Sequence, residues 1–137
     1  MMKKIFLLLA LGMVTNHFLT AQSMLHIGSG GSVYTTNPGF ITLKNAKLVN
    51  NGIFSAIGGN FLINGNAPTD DTTIEGSGTT DFDKLTMDKS SNGLKLNQNI
   101  RVNGTLQFVK GLIYTNGNNI RCGATLGANS TSYIVTN

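Results

Sequence analysis

The sequence predicts an all-β protein, a parallel β-helix or β-solenoid of about five irregular coils. Three observations predict this fold. Apolar and polar residues alternate over a long stretch, Asn-Gly pairs recur between short strand-like runs, and helix-forming residues never gather into an amphipathic stretch. A β-sandwich is the alternative, because several short strands separated by turn signals also suit that class.

The longest alternation runs from residue 92 to residue 108 and reads NGLKLNQNIRVNGTLQF. From residue 94 on, every even-numbered residue except Gln98 is apolar or small, and the odd-numbered residues are polar or charged. Side chains in a strand alternate between two faces, so one face of this segment is predicted to be buried. The predicted inward residues are Leu94, Leu96, Ile100, Val102, Gly104, Leu106 and Phe108.

Asn-Gly pairs supply the turns, at residues 51–52, 64–65, 92–93, 103–104 and 116–117. Asn and Gly both tolerate positive φ, so such pairs turn the chain at low cost. Two-residue Asn-Gly loops commonly close antiparallel hairpins. Here the inward parity runs straight through Asn103-Gly104, which favours a bend inside a continuing strand, as in a solenoid coil that stacks on its predecessor.

Short β-branched or aromatic runs between Gly, Asn, Asp and Ser clusters give the predicted strands. They are Leu25–Ile27, Ser32–Tyr34, Phe40–Leu43, Lys47–Val49, Ile53–Ala56, Phe61–Ile63, Thr72–Glu75, Thr80–Phe82, Lys84–Met87, Leu94–Leu96, Ile100–Val102, Thr105–Val109, Leu112–Tyr114, Asn119–Cys122 and Ser132–Val135. The Asn-Gly pairs are unevenly spaced, so coils of unequal length, roughly 20–25 residues each, are expected.

The first 21 residues are predicted to be a secretory signal peptide, and residues 22–137 a β-solenoid domain. Lys3 and Lys4 precede the apolar run IFLLLALGMV, and small residues allow cleavage after Ala21 or after Ser23. The run is shorter than the ~20 residues that span a bilayer, so no membrane span is predicted once the signal is removed. Residues 22–36 are interpreted as an N-terminal cap region.

The charges are few and segregated along the chain. All six acidic residues lie between positions 70 and 88, and the C-terminal third is thinly basic. Without Lys3 and Lys4, eight basic residues face six acidic ones, a net charge of +2. Nucleic-acid binding requires a dense basic stripe, so no nucleic-acid partner is predicted. Cys122 is the only cysteine, which excludes an intramolecular disulfide, and it is interpreted as a buried strand residue.

From about residue 31 the pattern resembles the repeat-rich exported proteins of Bacteroidetes-type bacteria. The ordering G-S-G-T-T-x-F-x-x-L-T, followed by L-x-x-x-I-x-V-x-G-T-L, carries the resemblance. The matching positions are Gly76 to Thr80, Phe82, Leu85, Thr86, Ser91, Gly93, Leu96, Ile100, Val102, Gly104, Thr105 and Leu106. The resemblance implies a parallel β-solenoid surface or adhesin-like protein, of a kind often exported through a C-terminal type IX sorting domain.

The chain departs from that pattern at its end, STSYIVTN, which is interpreted as an unfinished strand with no sorting domain and no polar cap. A fragment of a longer surface protein is therefore one hypothesis. An open solenoid end leaves unpaired backbone groups, so self-association at that end is expected.

Two groups of carboxylates invite a chemical interpretation. Asp81, Asp83 and Asp88 suggest calcium, but an EF-hand loop beginning at Asp81 would have Leu85 at a ligand position. The neighbouring Asp70-Asp71 pair suggests glycosidic cleavage, although adjacent strand residues point to opposite faces.

The remaining motifs are weaker. His26 is the only histidine after the signal, and residues 28–31 (GSGG) are interpreted as a turn rather than a phosphate loop. The sequence therefore predicts no catalytic, cofactor-binding or metal-binding residue and no cofactor.

The predicted function is a noncatalytic, exported structural or adhesive segment of a bacterial cell-envelope protein. It is expected at the cell surface, at the outer membrane or outside the cell, with extracellular glycans or other surface proteins as partners. The alternatives are a β-sandwich module that binds glycan or protein, a nonfunctional fragment, and, least favoured, a polysaccharide-cleaving enzyme.

Overall fold

The computed structural model describes residues 23–66 and 72–136, which form strands and no helix. The predicted signal peptide and Asp70-Asp71 lie outside these ranges. The strands are β1 (Ser23–Ile27), β2 (Ser32–Tyr34), β3 (Phe40–Lys44), β4 (Ala46–Asn50), β5 (Ile53–Gly65), β6 (Thr72–Glu75), β7 (Thr79–Lys89), β8 (Leu94–Asn97), β9 (Ile100–Lys110), β10 (Ile113–Tyr114), β11 (Ile120–Leu126) and β12 (Ile134–Val135).

The strands form two parallel sheets. Sheet A has the order β1-β4-β6-β8-β10-β12, and sheet B has the order β11-β9-β7-β5-β2, with β3 also paired to β5. Every pairing between these strands is parallel. The predicted β-solenoid of about five coils is confirmed, and the β-sandwich alternative is wrong because a sandwich has antiparallel neighbours.

Each coil supplies one strand to sheet A and then crosses to sheet B. Coil 1 contains β1, β2 and β3; coils 2 to 5 contain β4 and β5, β6 and β7, β8 and β9, and β10 and β11; β12 begins the next turn. Residues in register are 19 positions apart where Leu94 meets Ile113, and 26 apart where Leu48 meets Ile74. The predicted inequality of the coils is therefore confirmed.

Strand β9 runs without interruption from Ile100 to Lys110 and pairs with β7 on one side and β11 on the other. The register shifts on both sides at Asn103-Gly104, which together lie opposite Asp83 in coil 3 and Gly123 in coil 5. The Asn-Gly pair is thus a bend within a continuing strand, as the alternation predicted, and not a hairpin.

Positive φ explains only some of the Asn-Gly pairs. Both residues of Asn92-Gly93 and of Asn116-Gly117 have positive φ, and so does Gly65. Residues 51–52 and 103–104 turn the chain without it. At these two sites the glycine is needed for close approach of neighbouring coils.

The core lies between the two sheets and is filled by side chains stacked from coil to coil. Leu48, Ile74 and Leu96 form one such column in sheet A. Of the seven residues predicted to face inward, all but Gly104 are buried, and Gly104 is half-buried at the bend. Cys122 lies in a strand as predicted, but it is only half-buried because β11 is the last strand of sheet B.

Three phenylalanines form the centre of the core in coils 2 and 3. Phe54, Phe61 and Phe82 are fully buried. Their ring centroids lie 4.9 to 5.5 Å apart, and Phe54 meets Phe61 edge to face. This is the range in which aromatic pairs attract beyond the effect of buried area alone.

Buried polar side chains connect successive coils at the corner between sheet A and sheet B. The hydroxyl oxygen of Thr80, in coil 3, accepts a hydrogen bond from Asn50 Nδ2 of coil 2 (2.8 Å) and another from Gln98 Nε2 of coil 4. Asn50 Nδ2 also donates to the carbonyl of Thr79 at 2.7 Å. Gln98, the exception in the apolar alternation, therefore has a structural role.

Lys89 is fully buried at the opposite corner. Its Nζ donates to Asn45 Oδ1 at 3.2 Å, a bond that joins coil 3 to coil 1 past coil 2. Gly65 is the coil 2 residue in register with Lys89, and a Cβ there would lie 1.8 Å from Asn45 Oδ1. The missing side chain at position 65 makes room for this contact.

A substitution at Gly78 tests how tightly neighbouring coils pack. A Cβ at this position would lie 2.2 Å from the carbonyl oxygen of Gly52, the atom that accepts the Thr79 backbone hydrogen bond. The Gly78→Ala substitution must therefore push the backbones of coils 2 and 3 apart. We expect it to lower the free energy of unfolding by about 1–3 kcal/mol, the usual range for overpacking.

Urea denaturation followed by circular dichroism would measure that loss. Gly28→Ala is the matched control, because a Cβ at Gly28 has no atom within 4 Å and its φ is not positive. Equal stability of the two variants would show that the coils separate more easily than this geometry implies.

Candidate functional site

An ionic group spanning three coils lies on the outer face of sheet B. Asp81 of coil 3, Arg101 of coil 4 and Arg121 of coil 5 are in register on three neighbouring strands. Arg101 binds the Asp81 carboxylate with two donors, Nε to Oδ1 at 3.1 Å and Nη2 to Oδ2 at 2.5 Å. The hydrogen bond and the attraction of that carboxylate raise the pKa of Arg101, so this group stays charged.

Arg121 extends this column by a second positive charge. It lies directly beside Arg101, and like charges on neighbouring strands repel. The only carboxylate in the column, Asp81, is already engaged by Arg101, and no acidic residue follows Asp88 in the sequence. The fifth coil therefore carries an excess positive charge on its outer face.

Exposed amides flank the two arginines. Asn99 precedes Arg101 and Asn119 precedes Arg121 by two residues, so they share the outer face. Asn99 Oδ1 accepts hydrogen bonds from the backbone N–H and the side-chain Nδ2 of Asn119, at 2.8 and 3.5 Å. Asn103 is exposed on the other side of Arg101, at the bend.

Three shallow grooves lie next to one another along this surface. The first, about 290 Å³, is lined by residues 76–78, 97–99 and 118. The second, about 340 Å³, shares Gly78 and Asn99 with the first. The third, about 250 Å³, shares Arg101 with the second and reaches Arg121 and Gly123. The three grooves follow one another across coils 3, 4 and 5.

A separate groove of about 320 Å³ lies at the corner where sheet B returns to sheet A. Lys110, Tyr114 and Thr131 are among its lining residues. Lys110 Nζ lies 3.6 Å from Asp88 Oδ1. Lys110 is in register with this carboxylate, whereas Arg121 is in register with another arginine.

The three aspartates of β7 are distributed along the strand, and their carboxylates do not converge on one point. Asp81 binds Arg101, Asp83 lies at the bend, and Asp88 lies near Lys110 at the end of the strand. Within residues 23–66 and 72–136, no three His, Cys, Asp or Glu side chains are placed to hold a metal ion.

The other residues considered from the sequence lie apart from the arginine column. His26 is exposed on β1 at the first coil, and the GSGG segment forms a turn closed by a Gly31 N–H to Gly28 carbonyl bond of 2.9 Å. Cys122 Sγ lies 3.4 Å from Thr125 Oγ1 at the edge of sheet B.

The pairing of the two arginines was missed in the sequence, although a signal for it exists. Arg101 and Arg121 are separated by 20 residues, a spacing within the expected coil length. Both also precede an inward-facing residue by one position, Val102 and Cys122. Aligning successive coils on their inward residues places the two arginines side by side.

No family model, no curated protein and no solved structure matches this chain. Among the described strands and loops there is also no helix of the length and apolar character needed to cross a membrane. Function must therefore be inferred from the chain's own architecture and surface chemistry.

Proposed function

We propose that the protein is a noncatalytic, exported structural or adhesive segment of a bacterial cell envelope. The way its polar side chains are used carries the proposal. The buried side chains of Asn50, Thr80 and Gln98 bond from coil to coil and hold three successive coils together. The exposed polar side chains around Arg101 line open grooves, which suit contact with an extended partner better than chemistry on an enclosed substrate.

The proposed location rests on two further observations. Residues 1–21 have the charge and length pattern of a secretory signal. The chain from residue 31 resembles exported, repeat-rich surface proteins of Bacteroidetes-type bacteria. A stack of parallel coils is extended along one axis, which suits a surface scaffold.

Protease treatment of intact cells that produce the chain natively tests the location. We expect an antibody to detect loss of the protein from intact cells, while a cytoplasmic marker survives. Loss only after the cells are lysed would contradict an exposed position at the surface.

A second experiment tests the noncatalytic part of the proposal. The purified chain is incubated with acidic and neutral polysaccharides, and new reducing ends are counted. We expect no increase over a heat-denatured sample. An increase that disappears on heating would show that the protein is an enzyme.

A further inference from the structure

We propose that the outer face of sheet B around Arg101 and Arg121 binds an acidic polysaccharide, a glycan chain bearing carboxylate or sulfate groups. This deepens the proposed adhesive function and rests on it. The starting observation is the unbalanced column, in which two arginines and one carboxylate are in register and the carboxylate is bound by Arg101. An external anion beside Arg121 would relieve the repulsion between the two arginines.

The chemistry of the two side chains favours an oxyanion. A guanidinium group presents its donors as a planar fork, which matches the two oxygens of a carboxylate or sulfate. Arg101 already makes this contact with Asp81, through Nε and Nη2. Arg121 offers the same fork one strand further along, on an exposed strand with no acidic neighbour in register.

The surroundings of the arginines favour a sugar as the carrier of that anion. Asn99, Asn103 and Asn119 are exposed beside them on the same face. Amide groups both donate and accept hydrogen bonds, so they can engage the hydroxyl groups of a glycan. Residues two apart on a strand lie about 6.6 Å apart, and neighbouring strands about 4.8 Å apart, so the amides and guanidiniums form a two-dimensional array.

The shape of the surface favours a chain over a small molecule. Three neighbouring grooves follow one another over three coils and share lining residues, Gly78 and Asn99 and then Arg101. These grooves are lined by no aromatic residue. Single-stranded nucleic acids are held largely by bases stacked on aromatic side chains, so this array suits an acidic glycan better than a nucleic acid.

Titration calorimetry with the purified chain lacking its signal peptide tests the proposal. The probes are polygalacturonate, which carries carboxylates, dextran sulfate, which carries sulfates, neutral dextran and an oligothymidylate. We expect binding to one or both acidic glycans, which weakens as salt is added, and none to dextran. Oligothymidylate binding as tight as that of the acidic glycans would overturn the proposal, and so would failure of both acidic glycans to bind.

Three variants locate the site. Arg121→Gln is expected to weaken binding about tenfold, the effect of losing one charge-assisted contact. Arg121→Lys is expected to weaken it as well, because an ammonium group lacks the planar fork. Lys44→Gln removes the same charge from an exposed residue in coil 1 and is expected to bind within about twofold of the unmodified chain.

Equal weakening by Arg121→Gln and Lys44→Gln would show that only net charge matters and would reject the site. Thermal melting of each variant establishes that the fold is retained. Glycan binding is measured on the purified chain and surface exposure on intact cells, so the failure of one proposal can be told apart from the failure of the other.

Discussion

Val102→Asp is expected to abolish folding of the protein. Val102 is 1% exposed and lies in β9 between Phe82 of coil 3 and Cys122 of coil 5. An aspartate there would place a carboxyl group in the core with no partner, and a buried unpaired charge is among the most costly changes in a protein. We expect a loss of more than about 4 kcal/mol, which approaches the whole stability of an ordinary domain.

The same strand provides a matched control. Val109 is 57% exposed, so Val109→Asp makes the identical chemical change on the outer surface and should alter stability by less than about 0.5 kcal/mol. Far-ultraviolet circular dichroism and urea denaturation would compare the two variants. If Val102→Asp kept the β-type spectrum and the unfolding midpoint of Val109→Asp, the inward assignment of Val102 would be wrong.

Among core substitutions that shorten a side chain without adding a charge, Phe82→Ala is expected to be the most damaging. The Phe82 ring lies 4.9 Å from that of Phe61 and 5.5 Å from that of Phe54, and all three are fully buried. Removing it loses the transfer free energy of the ring and leaves a cavity in the middle of the stack. The expected loss is about 3–5 kcal/mol.

Phe40→Ala serves as the control for that variant, because Phe40 is 62% exposed in the first coil. Its truncation should cost well under half as much as that of Phe82, since little buried surface is lost. The free energies of unfolding from urea titrations decide the comparison. Similar losses at the two positions would mean that Phe82 is not packed as described.

Much of the fold could be predicted from the sequence because every coil must bury one face of its strands and expose the other. Alternation of period two identified the inward residues of β8 and β9, since one face of each sheet packs against the core. The continuity of the alternation through Asn103-Gly104 also distinguished a bend from a hairpin. That inference needed only local sequence, because the parity of side chains is a local property.

The contacts between coils could not be predicted in the same way. The bond from Lys89 to Asn45 depends on two residues 44 positions apart and on the space left at Gly65. A buried lysine is rare unless it is paired, so the residue type alone would have suggested a surface position for Lys89. The pairing of Arg101 with Arg121 likewise requires the register, which the uneven coil lengths conceal.

The candidate site was the least predictable part. The sequence drew attention to Asp81, Asp83 and Asp88 as a group, but the strand carries them to three different surroundings. Asp81 instead joins a column with basic residues from later coils. Spacing within one segment could not reveal this, because the column runs perpendicular to the chain.

The bend formed by residues 57–59, 83, 103–104 and 123 determines where the chain can accept inserted or deleted residues. Three residues there in coil 2 are matched by one in coil 3, two in coil 4 and one in coil 5, yet the columns on either side remain aligned. A residue added at this bend would enlarge the bulge without shifting the register on either side. The same addition between Leu62 and Ile63 would invert the remainder of β5 and expose its apolar side to water. Insertions and deletions are therefore tolerated at the bends between strand segments, whereas the length of the paired segments themselves is fixed by the register.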